Sequence, residues 1–487
     1  MQQVGKHLAA QGRRAMIIGG RQVAGSKAFD VINPFDESVV GQAPSCSREE
    51  LDEAVKEARK AFPAWSSKTF EERKEYLGKM SQVLADNADS LIELLVKEQG
   101  KGLPQAKGEL LGSQGWLKAA MRLDNPNKLH AEDEKKKIHK VYRPLGVVGC
   151  ITAWNFPLSL IHFKISSALL SGCTVIVKPS EHTPLASLEA IRLFNEVLPP
   201  GVLSIVTSEK GELGAWMVEH PGIDKISFTG STPTGKKIME TAAKTLKRVT
   251  LELGGNDPAI VLKDVDPKKA AKGLFGAAFG NSGQICIAAK RVYVDEAIYE
   301  DTLQALAEIA KNAPFGNGLE KDVVFGPLNN AMQYDKVREL LIDALDNGAE
   351  MVCGEVPPAR GGSSKGFMIK PVVLRNVKEG MRIVDEEQFG PVLPVMSYKT
   401  IEEAVDRAND SEYGLGASVW TKDLDRGEEI ANQLHAGTVW VNTHSEIDGS
   451  IAFGGAKCSG VGFEGGDEGL LAFMQLHVIR TKRNAKL

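Results

Sequence analysis

Several things are scarce in this chain, and each scarcity excludes a class of function. There is no surplus of basic charge: 59 Lys and Arg stand against 63 Asp and Glu, a net charge of -4. A phosphate backbone therefore finds no electrostatic footprint, and nucleic acid is not expected as a partner. No apolar run approaches the length of a bilayer span, so no membrane association is expected. Cysteines number only six, scattered, with no Cys-x-x-Cys pair and no histidine cluster at ligand spacing. That argues against a disulfide framework and against a metal site. The N-terminal stretch carries some positive charge but no long apolar core, which argues against a secretory signal. These absences together point to a reducing, cytoplasmic setting. Repeats and low-complexity tracts are absent too.

What is present is an ordinary globular composition, 43% apolar and 25% charged over 487 residues, enough for two or three packed domains. Ser47 and Glu50 form a capping-box pattern ahead of Leu51, Ala54, Val55 and Ala58 at helical spacing. A second amphipathic stretch runs from about Phe70 to Lys97 and stops at Gly100. The charged segment 128–140 reads as a solvated hairpin or linker. From Gly146 onward the pattern alternates: GVVGCITAW, TVIVK, LSIVT, KISFT and VTLEL are short buried strands separated by helical segments. Thr183 and Pro184 look like the cap and first residue of a helix reaching about Val197. Such alternation implies a parallel sheet covered on both faces, with ligands beyond the carboxyl ends of its strands. A second α/β series follows Gly255. The final HVIRTKR reads as a lone strand, free to pair with another subunit.

Residues just after strand ends are thus the ones to inspect. Glu252 closes VTLEL ahead of Gly254 and Gly255; an acid there is costly unless exposed, paired or protonated, and burial would move it toward the range of a general base. Asn155 follows the first strand and could donate an amide N–H to a developing oxyanion. Lys178 and Glu181 follow TVIVK. A carboxylate at that place can accept both hydroxyls of a ribose and would repel a 2′-phosphate, favouring NAD over NADP. KISFT leads into Gly230, Ser231, Thr232 and Pro233, a tight strand-to-helix turn whose free N–H groups suit a pyrophosphate. No G-x-G-x-x-G run follows any of these strands. Cys286 has Gly280 and Gly283 close ahead of it. A lone cysteine is ordinarily a small buried hydrophobe, but these glycines favour close approach of a ligand over packing.

Seven runs, WNFP (154–157), KPSE (178–181), FTGS (228–231), LELGG (251–255), GQIC (283–286), EQFGPV (387–392) and FGGAKCSG (453–460), together resemble the aldehyde dehydrogenase family. The resemblance covers almost the whole chain in order. It implies an α/β fold of two parallel-sheet Rossmann-type domains plus a small oligomerisation arm. Residues 1–123 and 144–254 would bind the dinucleotide, 255–457 would be the catalytic domain, and 124–143 with 471–487 would form the arm. The implied cofactor is NAD, the implied substrate a small-molecule aldehyde, and the implied assembly a homodimer or homotetramer. Cys286 would be the nucleophile and Glu252 the general base, with Asn155 and the Cys286 N–H as the oxyanion hole. Lys178 and Glu181 would hold the adenosine ribose, Trp154, Gly230 and Ser231 the pyrophosphate, Glu387 the nicotinamide ribose, and Phe389 would pack near the ring. Phe156, Leu160, Phe163, Ile285, Ile287 and Phe453 would line an apolar aldehyde tunnel. Ala153, Ala452 and Phe463 depart from the residues common at their positions, as does the SEKGELG loop; none belongs to the catalytic set. Two rival readings are a dehydrogenase that passes the thioester to coenzyme A and a relative that keeps the fold without turnover.

Overall fold

The computed structural model describes residues 12–361 and 365–483. The first eleven residues, which are most of the N-terminal stretch read as no secretory signal, lie outside this range, as do the last four residues of the expected arm.

Five β-rich segments form a parallel core in the order Arg248–Glu252, Lys225–Thr229, Val147–Ile151, Thr174–Lys178, Leu203–Ile205. Every residue of the middle three strands is buried, as a sheet covered on both faces requires. Antiparallel strands close both edges: Met16–Ile18 beside Leu203–Ile205, and Gly460–Val461 beside Arg248–Glu252. The latter arrives from late in the chain and ties the end of the Glu252 strand to the segment around Glu464. The second sheet has seven strands and runs Glu350–Cys353, Val372–Arg375, Val392–Tyr398, Ala289–Asp295, Asp257–Val261, Gly416–Trp420, Thr438–Val441. Its strands are parallel except the first pair. The α/β class and the two-sheet arrangement expected from the strand pattern are therefore present.

Helix signals mostly hold at their starts. Ser47 and Glu50 make the reciprocal capping box of helix Arg48–Ser66, and Thr69 with Glu72 repeats it for helix Phe70–Asp86. The stretch read as one helix to Gly100 is two, Phe70–Asp86 and Ala88–Gln99, because Asn87 leaves helical geometry and bonds its side chain back to the Val83 carbonyl. Thr183 does not cap the helix Leu185–Phe194. The buried Glu98 carboxylate accepts from Leu185 N and Ala186 N instead, a cap supplied from 87 residues away that local reading could not find.

Segment 128–140 is a hairpin, Lys128–Glu132 against Lys136–Pro144. The last strand is not lone. Met474–Lys482 pairs antiparallel with Lys136–Pro144 along its whole length, giving a three-stranded arm. No described helix is long and apolar enough to cross a membrane.

Candidate active site

A cavity of about 520 Å³ opens beyond the carboxyl ends of the first sheet, lined among others by Trp154, Lys178, Glu181, Gly230 and Ser231. Its volume lies within the range of small-molecule sites. Helix Thr232–Ala243 begins at its wall, and Ser231 at the N-cap makes no side-chain cap bond; its hydroxyl pairs with Thr234 instead. The first N–H groups of that helix are thus left for an anion. Lys178 is buried, and its ammonium donates to the carbonyl of its own neighbour Pro179. Burial pulls its pKa down, and Glu181 opposes that. A dinucleotide fits this chemistry: a positive helix end for phosphates, with an ammonium and a carboxylate for sugar hydroxyls. Phe389, held at φ +52°, meets Trp154 edge-on at 5.4 Å.

The segment before Cys286 is held in an unusual backbone. Asn281, Ser282 and Gly283 all have positive φ (49°, 56° and 73°), and the first two are not glycine. Left-handed conformations cost roughly 1–2 kcal/mol per non-glycine residue, so neighbouring bonds must compensate. Ser282 Oγ donates to Gly326 O, Lys290 Nζ to Gly283 O and Gly390 O, and Gln284 Nε2 to Asn281 O. Gly283 tolerates no side chain, since a Cβ there would lie 2.2 Å from Gly390 O. Gly255 is equally constrained: its Cβ would lie 2.3 Å from Cys286 O. The Glu252 turn and the Cys286 loop therefore touch through backbone.

Asn155 is buried beside this loop and spends one amide hydrogen on Gln284 O at 3.1 Å; its second remains for another acceptor. Glu252 is buried, and both carboxylate oxygens lack a partner among the described residues. An unpartnered buried carboxyl is uncommon enough to require a reason. Burial raises its pKa well above the ordinary range, the Glu464 carboxylate raises it further, and Lys164 partly offsets both. Cys286 is half-buried. Its thiol is pushed above its usual value first by burial, then by Glu387, Glu252 and Asp257. Glu387 is turned toward the glycine turn, accepting from Gly255 N at 3.1 Å.

The aldehyde dehydrogenase family model matches residues 22–479. The chain belongs to the aldehyde dehydrogenase family. It is 38% identical to phenylacetaldehyde dehydrogenase of Pseudomonas fluorescens over 93% of this chain and 92% of that protein. It is also 38% identical to aldehyde dehydrogenase, cytosolic 1, of Rattus norvegicus over 94% of this chain and 93% of the relative. A crystal structure of betaine aldehyde dehydrogenase from Staphylococcus aureus in complex with NAD+ superposes with a TM-score of 0.93 at 32% identity, covering 100% of this chain and 97% of that one. The reading as an NAD-dependent aldehyde dehydrogenase stands with that membership.

Of the tunnel residues read from sequence, Phe163, Ile287 and Phe453 form one apolar cluster, against which Ile285, Cys286 and the unforeseen Trp116 pack. Trp116 and Phe163 rings lie 4.1 Å apart. Phe156 is not in that cluster; it is half-buried, with the Lys101 ammonium 3.8 Å over its ring. Sequence reading also missed the charges around Glu252. Lys164 Nζ bonds Glu464 Oε1 at 2.5 Å and Ser227 Oγ at 3.2 Å, with both charged side chains out of water. The signal available was a lysine as the one Lys, Arg, Asp or Glu of a buried helix, a charge that must find a buried partner. Removing that partner strands a charge: Lys164→Met is expected to lower stability by about 3–5 kcal/mol in chemical denaturation, whereas Lys164→Met combined with Glu464→Gln restores most of it.

Proposed function

We propose that this chain oxidises aldehydes to carboxylic acids with NAD through a thioester on Cys286, hydrolysed by water that Glu252 activates. The observation carrying this reading is a half-buried thiol flanked by an amide donor, Asn155, and by an unpartnered buried carboxyl, Glu252. The Cys286 thiol gives its proton to water, and the thiolate Sγ bonds to the carbonyl carbon as the C=O π pair moves onto oxygen. The free Asn155 amide hydrogen and the Cys286 backbone N–H donate to the oxygen as it gains charge. Bound NAD supplies the hydride acceptor. Glu252 then takes a proton from a water attacking the thioester, and the acid departs as the thiol is restored.

Lys178 and Glu181 hold the adenosine ribose, Trp154, Gly230 and Ser231 the pyrophosphate, and Glu387 with Phe389 the nicotinamide end. Phe163, Ile285, Ile287 and Phe453, joined by Trp116, make an apolar wall that suits medium aliphatic and aromatic aldehydes. A homodimer or homotetramer is supported by two open sheet edges: Thr438–Val441, and Met474–Lys482 with exposed Leu476, Val478 and Ile479. Six free thiols fit a cytoplasmic setting.

NADH formation across aliphatic, aromatic, amino and acidic aldehydes tests the proposal. Turnover is expected without coenzyme A; a strict requirement for it would favour the acylating alternative. In the same assay Glu181→Ala is expected to raise kcat/KM for NADP relative to NAD by about tenfold, by removing the carboxylate that a 2′-phosphate would face.

A further inference from the structure

Lys101 is one of the largest fully buried side chains among the described residues, and it precedes helix Leu103–Arg122, far in sequence from Asn155, Glu252 and Cys286. Its ammonium makes three contacts. It donates to Glu109 Oε2 at 2.5 Å and to the backbone carbonyl of Asn155 at 3.0 Å, and it faces the Phe156 ring at 3.8 Å. The other oxygen of Glu109 accepts from Leu158 N at 2.8 Å and Ser159 N at 3.2 Å. Those are the first free N–H groups of helix Pro157–Ser171, whose N-cap residue Phe156 supplies no side-chain cap. Lys101 and Glu109 thus grip the turn 155–159 from both ends. A cap alone would need only a neutral acceptor at position 109. The buried cation is required by neither helix, and its remaining bond goes to Asn155. That same carbonyl accepts Asn281 Nδ2 at 3.0 Å from the nucleophile loop.

We propose that Lys101 is a positioning residue: with Glu109 it fixes the Asn155 backbone so that the amide faces the carbonyl oxygen above Cys286. The inference rests on Asn155 acting as the oxyanion donor. Oxyanion donors act by preorganisation, and a displacement near 1 Å at such a group is enough to slow turnover strongly. Removing Lys101 alone would leave Glu109 as an unpaired buried charge, so the informative variant neutralises both.

The test uses the full-length protein with NAD. Lys101→Met with Glu109→Gln is expected to lower kcat about tenfold, while NAD affinity and the rate of Cys286 alkylation by iodoacetamide stay within about twofold of wild type. A loss of packing in general would shift all three together. The same pair placed in Asn155→Ala should cost nothing further, because the positioned group is gone. Should the methionine pair not fold, Lys101→Gln with Glu109→Gln, whose amides can bond each other, is read in the same cycle. A full additional tenfold loss in Asn155→Ala, or a normal kcat in the pair variant beside a slow Asn155→Ala enzyme, overturns the inference alone. An Asn155→Ala enzyme of normal kcat sinks the oxyanion reading and this inference with it.

Discussion

Cys286→Ala is expected to lose NADH production by at least about 10³-fold while still binding NAD with its original affinity. Of the other cysteines, Cys46, Cys150, Cys173 and Cys353 are buried, and the half-buried Cys458 is not part of the apolar cluster against which Cys286 packs. The next cysteine in sequence, Cys353, is buried in the apolar core of the second sheet. The dinucleotide cavity is lined by other residues, so a titration of NAD by tryptophan fluorescence should be unaltered. Cys286→Ala turning over at the wild-type rate would end the mechanism. The pH dependence has a definite sign. Since the thiol is held above its ordinary pKa by burial and by three carboxyl neighbours, its reactive form grows as pH rises. Alkylation of Cys286 should therefore speed up through the neutral and alkaline range without levelling near pH 8.

Glu252→Gln has the second largest expected effect, about 10²–10³-fold on steady-state turnover, and on one step only. The amide cannot take the proton of the attacking water, yet it is close in shape and carries no charge into a buried place. Acylation should therefore survive. Rapid mixing with aldehyde and NAD should show a burst of NADH near one equivalent per site, followed by a slow steady state. A variant lacking the burst, or one slowed in both phases equally, would place Glu252 outside deacylation. In the wild type, burial and then the Glu464 carboxylate raise the pKa of Glu252, so its base form is lost, and deacylation falls, at a higher pH than for an ordinary carboxylate.

These expectations depend on features of unequal legibility in the sequence. The parallel sheet could be read because its strands are short, β-branched and buried on both faces, so each stands out as an apolar run between turns. Cys286, Glu252 and Asn155 were legible as chemical types at strand ends or beside glycines, and the resemblance to a family joined them. The environment of each was hidden. That both oxygens of Glu252 go unpartnered among the described residues, and that burial, then Glu464 and Lys164, shift its acidity, depends on residues far apart in sequence that no local pattern brings together. Phe156 shows the converse. The resemblance implies a place for it in the tunnel, and what the sequence does not reveal is the buried Lys101 ammonium against its ring. The final strand reads as partnerless in the sequence because its mate, Lys136–Pro144, lies more than three hundred residues earlier and is too polar to announce itself.

The return of strand Gly460–Val461 to the first sheet carries a further consequence during synthesis. Synthesis runs from the N-terminus, so this edge strand and the Glu464 carboxylate are made after every other strand of both large sheets. The carboxylate that adds to the burial of Glu252 in raising its pKa is thus among the last parts of the first sheet's surroundings to be made.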